Sequence, residues 1–268
     1  MDPIIIIFIS CAVLGLVVGT LAGMLGIGGG LIIVPVLSYL LVHVLDMSAD
    51  AVMPVAVATS LSTIIFTGAS SAYAHYRLGN LTRHLVLYTG AGIALGAIVG
   101  AQIASHIDGH LLRIIFAVLV ILIALQMIFG KPRTSENAAT PRLLSVIGGG
   151  TGIFSALMGI GGGALLVPAL VWFQVNIRHA IGCAAVGGMV IAVFGTLSFI
   201  VAGWNKADLP AGGIGFVYLP ATLGIVATSV FTANFGAKLG QRVNTRLLKQ
   251  ILAALLVVVS IRMIVGLE

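Results

Sequence analysis

The stretch Leu25-Gly26-Ile27-Gly28-Gly29-Gly30, with Val34-Pro35 after it, recurs 133 positions later as Met158-Gly159-Ile160-Gly161-Gly162-Gly163, with Val167-Pro168 after it. Both copies lie inside long apolar segments. Consecutive glycines disfavour a continuous helix, and we expect each proline just inside the helix that follows, where a missing N–H does least harm. Two glycine-interrupted hydrophobic segments at matching positions are typical of duplicated membrane transporters, which bind their substrate at the interruptions.

The composition predicts an all-α polytopic membrane protein. Hydrophobic residues make up 60% of the 268 residues and charged residues only 7%, whereas soluble domains carry roughly 25% charged residues. Most apolar stretches reach the roughly 20 residues that a helix needs to cross a bilayer, and none alternates as barrel strands do. The formal charge of +6 is spread over short loops without interleaved aromatics, so the lipid bilayer is the expected partner and nucleic acid is not.

The chain is predicted to consist of two repeats, residues 1–130 and 143–268, joined by a cytoplasmic linker at 131–142. The matches beyond the glycine motif are Gly15 with Gly148, Gly19 with Gly152, Gly100-Ala101 with Gly236-Ala237, and Leu111-Leu112-Arg113 with Leu247-Leu248-Lys249. The Gly15/Gly19 and Gly148/Gly152 pairs have the small-xxx-small spacing that allows close helix packing.

The distribution of Lys and Arg predicts that the repeats are inverted relative to each other. Cytoplasmic loops collect these residues, which places inside the stretches Arg77 to Arg83, Lys131 to Arg142 and Lys238 to Lys249. The loops at 45–50, near Asp108 and near Asp208 are placed outside. The loop near Asp108 and its counterpart near Arg242 therefore fall on opposite sides.

Inversion requires an odd number of crossings in each repeat, which three spanning helices supply. The glycine-bearing segment should then enter and leave on the same face as a broken helical hairpin. The segment Leu143 to Gln174 has 32 residues, roughly 48 Å as a helix, too long for one crossing and short for two. The first copy, with 42 residues, is also long enough for two full crossings, which leaves the parity unchanged. Both termini are expected outside.

The breaks are the predicted binding site for an anion. The first amides of the helix after each break lack an intrahelical acceptor, and a helix N-terminus carries about half a positive charge. The predicted backbone donors are Gly26, Gly28, Gly29 and Gly30 in the first copy and Gly159, Gly161, Gly162 and Gly163 in the second. The predicted side-chain contributors are Thr59, Ser60, Thr63 and Cys183.

A stripe of hydroxyls is predicted to line a pathway to this site. Ser60, Thr63, Thr67 and Ser70 follow one another at helical spacing. Any one of these hydroxyls can also bond back to a carbonyl of its own helix. The second repeat matches only in part, because Cys183-Ala184 replaces Thr59-Ser60, while Thr228 and Thr232 form a shorter stripe on the next helix. The two half-sites are therefore expected to be chemically unequal.

Other kinds of site are not expected. All seven Asp and Glu lie at loops or ends, which argues against a cation exchanger because pumps usually use an intramembrane carboxylate. His106 and His110 flank Asp108 but have no third ligand nearby, so neither a metal nor a cofactor is predicted. No Gly-x-Ser-x-Gly or His-Glu-x-x-His motif occurs, so the chain is not expected to be an enzyme.

At its two glycine motifs the chain resembles the sulfite exporter TauE/SafE family of bacterial membrane permeases. The resemblance extends to Ala58-Thr59-Ser60 after the first motif, to the basic linker and to the blocks that end each half. Membership implies transport of small sulfur-containing or organic anions such as sulfite, sulfonates or sulfoacetate. The pair Cys183-Ala184 departs from the Thr-Ser pair of the first copy.

The predicted function is secondary transport of a small anion, most simply export, by alternating access in the bacterial inner (plasma) membrane. A passive anion channel would share the site but show no counterflow. A membrane subunit that does not itself transport is a third interpretation, although it does not explain why both repeats keep a helix break. The sequence leaves a homo-oligomer open.

Overall fold

The computed structural model describes residues 3–25, 29–129, 140–206 and 209–240, with single positions between 253 and 263. The helices are α1 Pro3–Leu25, α2 Gly30–Leu45, α3 Ala49–Arg77, α4 Arg83–His106, α5 Gly109–Phe129, α6 Pro141–Met158, α7 Gly163–Trp172, α8 Ile177–Gly203 and α9 Leu219–Gly240. Two short strands, β1 Gly213–Ile214 and β2 Val217–Tyr218, precede α9. The predicted all-α class is confirmed. Helix α6 already includes the last two residues of the predicted linker.

Helices α1, α3, α4, α5 and α8 are long and apolar enough to cross a membrane. Helices α3, α4 and α5 match the three spanning helices that the sequence predicts for the first repeat. The glycine-bearing segment of the second repeat divides into α6, with 18 residues, and α7, with 10. In the first repeat, α1 is long enough to span, whereas α2 has 16 residues.

The strands form an antiparallel hairpin that the sequence analysis missed, since it predicted an all-α protein. Gly215 is the first residue of the two-residue turn and has φ +54°, a conformation that such turns favour and that glycine adopts without strain. A Cβ at Gly215 would also overlap the carbonyl of Ile200. Phe216, Val217 and Tyr218 are buried, so the hairpin packs into the helix bundle.

Glycines join each repeat to the other through two equivalent helix pairs, α1 with α9 and α6 with α4. The close approaches are Gly15 to Ile225, Gly19 to Ser229, Gly148 to Thr89 and Gly152 to Ile93. A Cβ on any of these glycines would overlap the backbone of the partner helix. The glycines differ by 133 positions and their partners by 136, the offset that also relates Gly100 to Gly236. The predicted packing role of both glycine pairs is confirmed.

Side-chain contacts place the connections at two ends of the bundle. Asp50, at the start of α3, shares a hydrogen bond with Asp108 in the α4–α5 turn, and this bond holds the pKa of Asp108 below its usual range. At the other end, Thr82 Oγ1 and His179 Nδ1 are 3.1 Å apart and join the α3–α4 connection to the start of α8. Helices α3 and α8 run antiparallel, since Gly68 packs on Met189 and Gly195 on Leu61.

The two ends differ in charge as the sequence predicts. The basic end, which holds the α3–α4 connection and the starts of α6 and α8, carries Arg77, Arg83, Arg142 and Arg178. The acidic end, which holds the α2–α3, α4–α5 and α8–α9 connections, carries Asp46, Asp50 and Asp108 together with Lys206, and Arg113 lies in the first turns of α5. Arg178 is an addition to the predicted set, and the stretch Arg242 to Lys249 lies outside the described residues.

Each broken segment returns to the end from which it starts. Ser145 Oγ donates to the carbonyl of Tyr88 over 3.1 Å, which places the start of α6 beside the start of α4 at the basic end. Helix α8, which follows α7, also starts there. The start of α1 lies beside the hairpin, where Ile4 and Phe8 line a groove with Pro220, and α2 leads into α3 at the acidic end. The α6–α7 hairpin and the α1–α2 segment thus open at opposite ends.

Candidate functional site

The helix is interrupted at both glycine motifs. Helix α1 ends at Leu25 and α2 begins at Gly30, while α6 ends at Met158 and α7 begins at Gly163. Gly159 has φ +63°, and its N–H donates to the carbonyls of Ala156 and Ser155, which closes α6 with the left-handed cap that glycine favours. Gly26 and Gly28 lie outside the described residues.

The two interruptions meet in the interior of the bundle. A Cβ at Gly30 would overlap the carbonyl oxygen of Gly159 and lie 2.8 Å from the Cα of Ile160. Gly29 and Gly30 are buried, as is the stretch 159–162. Glycine at position 30 is therefore what allows the N-terminus of α2 to lie against the turn of the second break.

Each of the two helices that follow a break starts without a side-chain cap. The N-caps are Gly29 and Gly162, whose carbonyls accept the N–H of Ile33 at 3.1 Å and of Leu166 at 2.7 Å. The N–H groups of Ile32 and Leu165 reach the same two carbonyls at 3.0 and 3.2 Å. The amides of the first two residues of each helix are therefore the ones without an acceptor in their own helix, so each helix start presents N–H donors and a partial positive charge. Two such starts close together create positive potential without a cationic side chain.

The prolines of the motif lie deeper in their helices than the sequence analysis predicted. Pro35 and Pro168 are each the sixth residue of their helix, not a residue of the first turn. A proline at this position cannot donate to the carbonyl four residues earlier. The carbonyls of Leu31 and Ala164 therefore lack their usual helical donor, and each helix start exposes an acceptor close to its free amides.

Ser60, a predicted substrate ligand, links the two repeats. Its hydroxyl donates to the carbonyl of Gly159 over 2.7 Å, so a side chain of α3 fastens the turn that ends α6. Thr63 Oγ1 donates to the carbonyl of Ser60 over 2.7 Å. Thr59 Oγ1 accepts the N–H of Tyr218 over 3.0 Å. All three predicted hydroxyls are thus buried next to the breaks and already hydrogen-bonded to protein.

The predicted hydroxyl stripe runs from the interior to the surface. Ser60 and Thr63 are buried, Thr67 is half-buried and Ser70 is exposed, in order towards the basic end. The shorter stripe on α9 has another role, because Thr228 Oγ1 donates to the carbonyl of Ala12 over 2.7 Å. Only the stripe on α3 therefore connects the breaks with one end of the bundle.

The second half-site is built differently from the first. Cys183 Sγ lies 3.1 Å from Thr89 Oγ1, and both are buried between α8 and α4. Ala184, the residue that the sequence analysis paired with Ser60, has no hydroxyl. Helix α8 lies beside the start of α7 at Gly188, where a Cβ would be in ordinary contact, at 3.5 Å, with the amide nitrogen of Gly162. The sequence analysis missed Gly188, although adjacent glycines inside a spanning helix were a signal for it.

Two connections cover the site from opposite ends. The hairpin reaches Thr59 from the acidic end through the Tyr218 N–H. The α3–α4 connection lies over Gly182 from the basic end, and a Cβ at Gly182 would lie 2.5 Å from the carbonyl oxygen of Asn80. Gly182 immediately precedes Cys183, the residue that the sequence analysis paired with Thr59.

The profile of the family described as sulfite exporter TauE/SafE matches residues 11–263. The chain belongs to this family. A probable membrane transporter protein of Haemophilus influenzae is 40% identical over 256 residues, which cover 94% of this chain and 96% of the relative. The probable membrane transporter protein YunE of Bacillus subtilis is 28% identical over 96% of this chain and 97% of its own length.

The probable membrane transporter protein MJ0441 of Methanocaldococcus jannaschii is 24% identical over 94% of this chain and 93% of its own length. No solved structure gives a significant match. The relatives and the apolar helices together make this TauE/SafE chain an integral multi-pass membrane protein.

Proposed function

We propose that the protein is a secondary transporter that exports a small oxyanion, such as sulfite or a sulfonate, across the bacterial inner membrane. The observation that carries this proposal is that the uncapped start of α2 lies against the turn of the second break, from which α7 also starts without a side-chain cap. Each start carries about half a positive charge. No Lys or Arg among the described side chains is buried, so the site would hold an anion by backbone donors.

The arrangement of the two broken segments supports alternating access. They open at opposite ends of the bundle, and equivalent helices exchange partners between the repeats, which is what an inverted duplication would produce. The hairpin at Thr59 and the α3–α4 connection at Gly182 would then be the two gates. Opening one while the other stays closed would expose the breaks to one side at a time.

The hydroxyl stripe of α3 supports a path from the breaks to the basic end. Basic loops lie on the cytoplasmic side, so this path would lead to the cytoplasm. Arg77 and Arg83 near its mouth would attract anions before they enter. The family's description as a sulfite exporter is what suggests sulfite as the anion and export as the direction.

The test is thermal stabilisation of the purified protein by sulfite, sulfate, thiosulfate, a sulfonate and acetate, followed by flux in liposomes that contain only this chain. A ligand at a hundredfold excess over its Kd stabilises a folded protein by about 2.7 kcal/mol. We expect at least one anion of the panel to stabilise the protein and to be transported with saturation and counterflow. Flux without counterflow would indicate a channel, and no flux would favour a non-transporting subunit.

Substituting the N-cap glycines tests the site itself. A Cβ at Gly162 would lie 3.0 Å from Ile191 Cδ1, the movable end of a side chain, whereas a Cβ at Gly29 would overlap Cγ1 of the buried, β-branched Val18. Gly162→Ala should therefore fold with little loss of stability and Gly29→Ala at a lower thermal midpoint, and each should raise the Kd of the stabilising anion. Unchanged binding and transport in both variants would contradict the proposed site.

A further inference from the structure

The second break carries hydroxyls where the first carries apolar side chains. Thr151 Cγ2 lies 3.7 Å from the position that a Cβ at Gly162 would take. In the first repeat, Val18 and Gly29 stand 133 positions before Thr151 and Gly162, and they make the equivalent contact. Ser155 stands one helical turn after Thr151, and its counterpart in the first repeat is Ala22. A γ-carbon packs on the N-cap glycine in both breaks, whereas of these two pairs of positions only Thr151 and Ser155 carry hydroxyls.

Ser155 has a buried hydroxyl for which the described residues provide no partner. Its side chain is 0% exposed, and Oγ forms no hydrogen bond with them. Its carbonyl accepts the N–H of Ile160 over 3.0 Å and that of Gly159, so the residue belongs to the turn that forms the break. Because residues four apart share one face of a helix, its side chain lies on the face on which Thr151 meets Gly162.

An unpaired hydroxyl in an apolar interior is unfavourable, and alanine would remove the penalty at little cost in packing. The first repeat has alanine at this position. The second repeat also has the more open helix start, since Gly163 and Ala164 are half-buried while Gly30 and Leu31 are buried. The start of α7 therefore combines three features. It has free backbone amides, it lies beside a hydroxyl that has no partner among the described residues, and it is open enough for a ligand to reach.

We propose that the transported anion binds asymmetrically, at the N-terminus of α7, with Ser155 and Thr151 as its side-chain donors. This inference rests on the proposed function. The amides at the start of α7 and the two hydroxyls offer donors to different oxygens of one small oxyanion. The start of α2 is buried against Gly159 and adds positive potential without direct contact. Ser60 is a positioning residue, which holds the Gly159 turn from α3.

The test compares the variants Ser155→Ala and Thr151→Val, which install the residues of the first repeat, with Ser229→Ala. Ser229 also has a buried hydroxyl without a partner among the described residues, but it lies at the α1–α9 contact beside Gly19. Sulfite and the other anions of the panel are titrated against the thermal midpoint of each protein. Half-saturation of flux is measured in liposomes.

We expect Ser155→Ala to raise the Kd for the stabilising anion about tenfold or more, because a hydrogen bond to a charged group is lost. Its midpoint without anion should stay the same or rise, since no bond within the protein is broken. Thr151→Val should raise the Kd as well, and Ser229→Ala should leave it unchanged. This pattern separates ligand binding from a purely structural role.

Wild-type Kd values in both Ser155→Ala and Thr151→Val would overturn the asymmetric site while leaving the proposed transport intact. A lower anion-free midpoint in Ser155→Ala with an unchanged Kd would assign Ser155 a structural role instead and would also overturn it. If no anion of the panel stabilises or crosses with the wild-type protein, the proposed function fails, and the asymmetric site fails with it.

Discussion

In the first and second breaks the helix that follows starts at the same position of the motif, but different side chains surround the two N-cap glycines. Val18 packs on Gly29 in the first break, and Thr151 packs on Gly162 in the second. The two breaks thus share an uncapped helix start, while the polar side chains beside them differ. We expect the helix starts to supply the positive potential and the side chains to supply selectivity among anions.

Gly30→Ala is expected to have the largest effect on this paired arrangement. The new Cβ would meet the backbone of Gly159 and Ile160, which cannot move aside as a side chain can. Crowding of a packed interior usually costs about 1–3 kcal/mol. Because the new Cβ would overlap backbone atoms, we expect Gly30→Ala to lower the free energy of unfolding by about 3 kcal/mol or more. The thermal midpoint and transport should both fall sharply.

Gly150→Ala is the matched control, because nothing lies within 4 Å of the position of its Cβ. Alanine in the middle of a helix is favoured over glycine by up to about 1 kcal/mol. The midpoint of Gly150→Ala should therefore stay the same or rise. Equal losses in the two variants would show that contact between the breaks does not matter for stability.

Ser60→Ala is expected to have an intermediate effect. It removes the hydrogen bond to the Gly159 carbonyl and leaves that buried acceptor without its side-chain donor, at a cost of about 1–3 kcal/mol. Transport should slow because the turn of the second break loses its link to α3. The exposed Ser70, on the same stripe, gives the control Ser70→Ala, whose unfolding midpoint should not change. A wild-type midpoint for Ser60→Ala would refute the positioning role.

Thr228→Val is expected to have the smallest effect of these changes. Thr228 Oγ1 donates to the carbonyl of Ala12 across the α1–α9 contact, and hydrogen bonds between helices in membranes are worth about 0.6 kcal/mol on average. The unfolding midpoint should fall slightly while the Kd for the anion stays unchanged. A raised Kd would instead show that the hydroxyls of α9 belong to the binding site.

Much of the architecture could be predicted because it depends on composition and spacing. The duplicated motif located both interruptions, Gly15/Gly19 and Gly148/Gly152 marked the tight helix contacts, and arginine positions identified the basic end. Each of these features depends on the local sequence and not on which helices pack against each other.

The rest depended on contacts between distant segments. The hairpin before α9 has only two residues in each strand and lies within an apolar stretch, so its glycines appeared compatible with a spanning helix. Pro35 is the sixth residue of α2 because that helix begins at Gly30. The motif alone does not reveal where the helix begins. The roles of Ser60, Thr151 and Ser155 became visible only once α3 and α6 were placed beside the second break.

The central claim is that the backbone amides at the start of α7, in the second break, hold the anion. Its most direct test is a crystal structure of the protein with selenite, which shares the shape and charge of sulfite and whose selenium is located by anomalous scattering. We predict a selenium peak at the start of α7, with selenite oxygens about 3 Å from the amide nitrogens of Gly163 and Ala164. A peak only at the arginines of the basic end, or no peak at saturating selenite, would contradict the account.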